Sequence, residues 1–211
     1  MSIRVVIADD ADVVVMGAQR VLEDDHRFAV VGTARCIDDL LDSVSLTRPD
    51  AVLMGEYLHS LDILNAVEQV RELRPTVRII VMGGLVDGLL IRDLFNWGVD
   101  GYLYKSDDLC ELLPTAIYTV LLNRPYLSPT ANTEYLIAMK SPQPGTELDR
   151  ESREVLQRLG RGEHAAEIAY QMGIDKRRVY WIRSKLRRRF NAKTNEHLIQ
   201  RACGEGFIYP Q

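Results

Sequence analysis

Over the first half of the chain, short apolar runs alternate with stretches of helical period. Ile3 to Ala8 is a β-branched run that fits a buried parallel strand, and Asp9-Asp10-Ala11-Asp12 is the polar turn opening a helix through about Glu23. Phe28 to Ala34 reads as a second strand, Asp38 to Ser45 as a second helix, and Ala51 to Met54 as a third strand closing on Gly55. Leu61, Leu64, Val67 and Val70 recur at helical spacing and predict a helix over Leu61 to Leu73. Val77 to Met82 makes strand four, ending at Gly83-Gly84, and Leu89 to Trp97 is helical up to Gly98, placed to end it as a left-handed glycine. Val99 to Lys105 contains strand five. Asp108 then caps a helix, with Glu111 three residues on, in which Pro114 marks a late start or a kink. Five such units predict an α/β fold with a doubly wound five-stranded parallel sheet, at whose C-terminal strand edge ligands gather. The residues at that edge are Asp9, Asp10, Gly55, Gly83 and Lys105.

The pattern then changes. Asn123 to Pro129 and Ser141-Pro142-Gln143-Pro144-Gly145 are proline-bearing stretches that bracket Thr133 to Lys140, long enough for one short helix. The expected division is a first domain over 1–123, a linker over 124–146 and an all-α four-helix domain over 147–211. In the last of these, Asp149 caps a helix on which Ser152, Val155, Leu156 and Leu159 share a face, ended by Gly160-Arg161-Gly162. Ala165 to Gln171 is a short helix, Met172 to Asp175 a turn, and Lys176 to Phe190 a helix capped by Asp175, together a helix-turn-helix. Thr194 to Cys203 is the fourth helix.

Charge separates the two halves. The net charge of -4 divides into -9 over residues 1–124 and +5 over 125–211, as two domains with different partners would show. Most of the surplus lies between Lys176 and Arg189, where eight residues are basic and none is acidic. Val179, Ile182, Leu186 and Phe190 form one buried stripe on that helix. A helix of that length spans ~21 Å and suits a major groove. Its Lys and Arg side chains would meet phosphates, giving affinity and salt dependence but little sequence information.

Other classes are disfavoured. No apolar run approaches a membrane span, and the start of the chain, broken by Arg4 and followed by Asp9 and Asp10, is unlike a signal peptide, which places the protein in the cytoplasm. Cys36, Cys110 and Cys203 have no paired spacing for a disulfide framework or a zinc site. His26, His59, His164 and His197 are scattered, no Ser-His, Cys-His or glycine-rich phosphate loop is present, and neither catalysis nor a cofactor is expected.

With Asp9 and Asp10 after strand one and Lys105 after strand five, residues 3 to 123 resemble the receiver domain of bacterial response regulators. The resemblance implies an acidic pair that holds Mg²⁺, an Asp ending strand three that accepts phosphate, a Thr or Ser ending strand four that contacts it, and a Lys that neutralises it. Here the acceptor position is Gly55, the hydroxyl position is Gly83, and His59 stands where the family usually has Pro. Glycine has no group to phosphorylate, and two carboxylates without a third are a poor octahedral Mg²⁺ site. Neither Asp10 nor Glu56, which strand geometry turns to the other face, is expected to substitute. Asp9 and Asp10 are then read as capping the first helix and pairing with Lys105. The space left by the two glycines becomes a collapsed loop, with a small anionic ligand meeting Lys105 as the other outcome.

In the basic half, the order Glu154-Val155-Leu156, Glu167-Ile168-Ala169, Gly173-Ile174 and Val179 resembles the LuxR/NarL/FixJ-type DNA-binding domain over roughly 148 to 203. Two positions depart from it: Arg178 takes a usual Thr position, and Ile182 a common His position. The resemblance implies double-stranded DNA as partner, with Tyr180, Trp181 and Ser184 reading bases on the side away from the Val179 stripe; the other reading of Trp181 is that it packs against Ala165 or the linker and contacts no base. Lys176, Arg177, Arg178, Arg183, Lys185 and Arg188 complete the surface. It also implies a homodimer through the receiver or through Leu198, Ile199 and Ala202, with half-sites about one helical turn apart. The resulting expectation is a phosphorylation-independent transcriptional regulator. The competing reading is an adaptor without sequence-specific DNA binding, controlled by a small ligand or a partner protein.

Overall fold

The computed structural model describes residues 2–58, 61–84, 86–140, 148, 150–204 and 207–208. The chain forms two compact units, Met1–Pro142 and Gln143–Gln211. His59, the Ser141 to Gly145 stretch and the Asp149 cap lie outside the described residues.

The first unit is built on strands β1 (Ile3–Ala8), β2 (Phe28–Ala34), β3 (Ala51–Gly55), β6 (Arg78–Gly83), β7 (Gly101–Tyr104) and β8 (Tyr126–Leu127). They pair in the order β2-β1-β3-β6-β7-β8, every pair parallel. Helices α1 (Asp12–Glu23), α2 (Ile37–Thr47), α3 (Ile63–Leu73), α4 (Gly88–Asn96), α5 (Leu109–Leu121) and α6 (Pro129–Lys140) connect and follow the strands. The central strands are continuous apolar runs because both sheet faces are covered: Val5 to Ala8, Ala51 to Met54 and Ile79 to Met82 are all buried. On one face Ile7, Leu53, Met82 and Leu103 pack with Leu22 of α1 and Ile117 and Val120 of α5.

Three details differ from the sequence pattern. Among the described residues the sheet has six strands, since Gly101 and Tyr102 pair with Tyr126 and Leu127 in a segment read as linker. Tyr126 and Leu127, just after Pro125, are extended and complete the β7 edge. Helix α6 likewise belongs to the first unit, packed on α4 with Phe95 and Tyr135 edge-to-face at 6.4 Å. Finally, α3 starts at Ile63, because Leu61–Asp62 is a short strand, β5, antiparallel to β4 (Tyr57–Leu58).

The punctuation residues act as their chemistry dictates. Asp108 accepts from the Cys110 and Glu111 amides at the start of α5, and Pro114 lies inside that helix. Gly98 takes φ +91° and lets the Val99 amide reach back to the Leu94 carbonyl.

The second unit consists of α7 (Arg150–Gly160), α8 (Ala165–Met172), α9 (Lys176–Arg189) and α10 (Asn195–Gly204). Gly173, at φ +64°, ends α8, and Asp175 accepts from the Arg177 amide to start α9. Val155, Leu156, Ile168, Val179, Ile182, Leu186 and Phe190 are buried together with Leu198 and Ala202. Phe190 meets Phe207 edge-to-face at 5.2 Å.

Candidate functional site

At the C-terminal edge of the first unit's sheet, the two glycine positions are filled by neighbouring side chains. Asp9, which follows β1 directly, is fully buried. Its Oδ1 accepts from the Ala11 amide at 3.0 Å, and its Oδ2 lies 2.6 Å from Lys105 Nζ. A Cβ on Gly55 would collide with that Oδ2 and lie 2.9 Å from the Asp9 carboxyl carbon. Asp9 therefore stands in the volume a residue-55 side chain would need, and Lys105 neutralises it there. The N-cap position of α1 is Ala11, with no side-chain cap. Asp9 thus orders the turn rather than capping the helix in the usual way.

Gly83 is filled from another direction. A Cβ there would fall on the Tyr102 hydroxyl and come within 2.8 Å of Glu56 Oε2. Tyr102 is fully buried on β7. Burial first, then the Glu56 charge, pushes its phenol well above the usual tyrosine range. Glu56 Oε1 accepts from the Gly84 amide at 2.8 Å. Glu56 is turned to the β6 and β7 ends, while Asp9 and Lys105 meet on the β1 side.

The donor set is unsuited to Mg²⁺. Asp9 already faces an ammonium and an amide, and among the described residues no three Asp, Glu, His or Cys side chains come together to hold a metal. Of the five edge residues, the structure brings Asp9, Gly55 and Lys105 into one cluster and seats Gly83 beside Tyr102 and Glu56. Tyr102 carries no motif signal; the only pointer to it is an empty position on the neighbouring strand.

In the second unit, α9 displays its basic residues unevenly. Lys176, Arg177 and Arg189 are exposed, while Arg178, Arg183, Lys185, Arg187 and Arg188 are half-buried. Arg178 is committed to Glu151 of α7, with Nη2 2.6 Å from Oε2 and Nε on both carboxylate oxygens at 3.2 Å. Its charge is thus already matched inside the unit, a role that no pattern on α9 alone reveals.

The three positions expected to read bases do not share one environment. Trp181 is only 9% exposed, with the Arg178 guanidinium 4.3 Å and the Lys185 ammonium 5.3 Å from its ring centre. Ser184 is 4% exposed, and its hydroxyl donates to the Tyr180 carbonyl one turn back. Helical period places both on the outward side, yet the structure buries both. Tyr180 remains half-exposed between Lys176 and Arg183, which lie 5.5 and 4.6 Å from its ring. The positions expected to mediate a dimer divide in the same way: Leu198 and Ala202 are fully buried in the unit's own core, and Ile199 alone of the three is part-exposed.

The model of the response regulator receiver domain matches residues 5–116. The response regulator GacA of Pseudomonas aeruginosa is 31% identical over 142 residues, which cover 67% of this chain and 65% of that protein. The transcriptional regulatory protein YdfI of Bacillus subtilis is 24% identical over 208 residues, 97% of both chains. Among solved structures, a LuxR-family two-component response regulator from Aurantimonas matches 67% of this chain and 100% of its own, at 26% identity and a TM-score of 0.63. An RcsB–DNA complex shares the fold over 95% of this chain and 98% of that one, with 16% identity and a TM-score of 0.62. With its parallel sheet, its Asp9–Lys105 edge and a family match across most of the first unit, the chain belongs to the response regulator receiver family.

Proposed function

We propose that the protein is a DNA-binding transcriptional regulator that acts as a dimer and independently of aspartyl phosphorylation. The observation that carries the phosphorylation half is the Asp9 carboxylate in the volume beside Gly55, paired with Lys105. The position that would accept a phosphoryl group has no side chain, and the cation that would neutralise one is already neutralised. The DNA half is supported by α9, the second helix of a helix-turn-helix, with Lys176, Arg177 and Arg189 exposed and no acid along its length. RcsB, which shares the fold, is found bound to DNA, and YdfI is a transcriptional regulatory protein.

Contact with DNA then begins at the exposed side chains of Lys176 and Arg177. Tyr180 is the base-edge candidate on the exposed side. Trp181 reaches a base only after Arg178 and Lys185 swing off its ring. The test is a titration of double-stranded DNA with the full chain at several salt concentrations, with and without acetyl phosphate. Binding should fall steeply with salt and ignore acetyl phosphate, and Arg177→Ala should weaken it alike on every sequence, lowering the salt slope by about 1. A covalent mass gain with acetyl-phosphate-dependent dimerisation would overturn the first half. Salt-insensitive binding, or no binding, would overturn the second.

A further inference from the structure

We infer that Glu151 of α7 is a positioning residue for the DNA-binding helix: it holds Arg178 across the Trp181 ring in the free protein, and a DNA phosphate that takes Arg178 from it uncovers the indole. The inference deepens the DNA-binding reading and rests on it, since it names the acid that governs how α9 meets its partner.

Three observations converge on Glu151. Its carboxylate grips Arg178 at two points, with Nη2 2.6 Å from Oε2 and Nε 3.2 Å from both oxygens, which fixes the plane of the guanidinium. That guanidinium lies 4.3 Å from the Trp181 ring centre, and the Lys185 ammonium lies 5.3 Å from it. Beneath these cations the indole is 9% exposed, and its N–H has no acceptor among the described residues. A buried donor without a partner is uncommon in folded proteins, and opening the clamp is what would let this one donate to DNA.

The clamp is built to exchange. The Arg178 and Glu151 side chains are 33% and 32% exposed, so water screens the pair and leaves it weakly held. Arg178 stands in the first turn of α9, next in sequence to the exposed Lys176 and Arg177. A phosphate offers a guanidinium the same two-pronged acceptor that a carboxylate does. Once Arg178 turns to it, the indole loses its cover and its N–H is free to meet a base edge or a phosphate oxygen. Glu151 thereby withholds one cation and one donor from any duplex that does not displace it.

The test uses the full chain carrying Trp97→Phe, so that Trp181 is its one tryptophan. Two quantities are read: acrylamide quenching of that tryptophan without DNA, and the salt dependence of binding to a mixed-sequence duplex. Glu151→Gln should raise the quenching constant and steepen the salt slope by about 1, the effect of one more phosphate contact. In the parent the same contact leaves a bare carboxylate beside the DNA, which takes a cation back up. Adding Arg178→Ala should return the slope to the parent's while quenching stays high. Should Glu151→Gln fail to fold, Arg178→Lys decides, because it keeps the charge, loses the fork and the flat face, and should raise quenching alike. Unchanged quenching in a folded variant overturns the clamp, and raised quenching with an unchanged slope in Glu151→Gln overturns its part in DNA binding. A parent chain that binds no duplex defeats the proposed function instead, while quenching still tests the clamp by itself.

Discussion

Lys105 Nζ and Asp9 Oδ2 lie 2.6 Å apart, closing an ion pair between the ends of β7 and β1 across the space that Gly55 leaves open. Asp9 is fully buried and Lys105 is 21% exposed, so the pair is mostly, but not wholly, shielded from water. Truncating one partner strands the other, which in buried pairs costs several kcal/mol.

Asp9→Ala is therefore expected to destabilise the first unit by about 3 kcal/mol, the lower end for a buried pair. Gly55→Asp puts a second carboxylate against the first, and overpacking alone costs about 1–3 kcal/mol. It should lower stability and still give no mass gain with acetyl phosphate, because Lys105 and the required space remain committed to Asp9. Urea melts of the full chain and intact-mass measurement check both. A phosphorylated Gly55→Asp variant of unchanged stability would show that Asp9 vacates the site freely.

The positions on α10 proposed to mediate a dimer separate by burial. Leu198→Ala opens a cavity in a fully buried site and should cost about 2–5 kcal/mol. Any loss of assembly it causes is then secondary to loss of fold. Ile199→Ser, at a part-exposed position, should leave the melting temperature nearly unchanged and weaken self-association if α10 mediates it. Sedimentation at several concentrations beside thermal melts distinguishes the two.

The strands were legible because burial on both faces forces continuous β-branched runs, and β1 and β2 have the boundaries that the pattern predicts. Glycines with positive φ and the Asp caps at 108 and 175 were equally plain, since their roles are local. The contents of the site were not. Which side chain fills a glycine's space depends on strands far apart in sequence: Asp9 beside Gly55, and Tyr102 beside Gly83. Helical period likewise identified the outward side of α9, but not that Arg178 leaves it for Glu151 or that Trp181 lies under two cations. The sixth strand was hidden because two residues after a proline carry no periodicity.

Gly88 is a helix position where the usual rule reverses. Gly→Ala in a helix interior ordinarily stabilises by about 1 kcal/mol, and at Gly88, the first residue of α4, that gain does not apply in full. Here the added carbon meets the Glu134 carbonyl and Ala138 of α6. Gly88→Ala should instead destabilise by about 1–3 kcal/mol, the usual cost of overpacking. It should also open α6 to proteolysis between 129 and 140 before the sheet itself unfolds. A gain in stability with α6 still protected would mean that the two helices separate at no cost.

The start of α6 is pinned by an acid-sensitive contact. Asp107 accepts from the Thr130 amide at 3.2 Å and from its hydroxyl at 2.5 Å, and the Ser128 hydroxyl accepts from the Tyr104 amide at 2.9 Å. Partial burial works to raise the Asp107 pKa, but the hydrogen bonds from Ser128 and Thr130 outweigh it and hold the carboxyl below its ordinary value of 3.8. A group whose folded pKa is depressed contributes stability that is complete above the unfolded pKa and is lost as pH falls through the folded one. Docking of α6 should thus be indifferent to pH from neutrality to about 4, then weaken in more acid solution as Asp107 takes up its proton. Asp107→Asn keeps an oxygen to accept from Thr130 but cannot titrate. Hydrogen exchange in α6, measured against pH for both proteins, should show a rise below pH 4 in the wild type that exceeds the variant's. Parallel curves would locate the acid sensitivity elsewhere, in other carboxylates of the first unit.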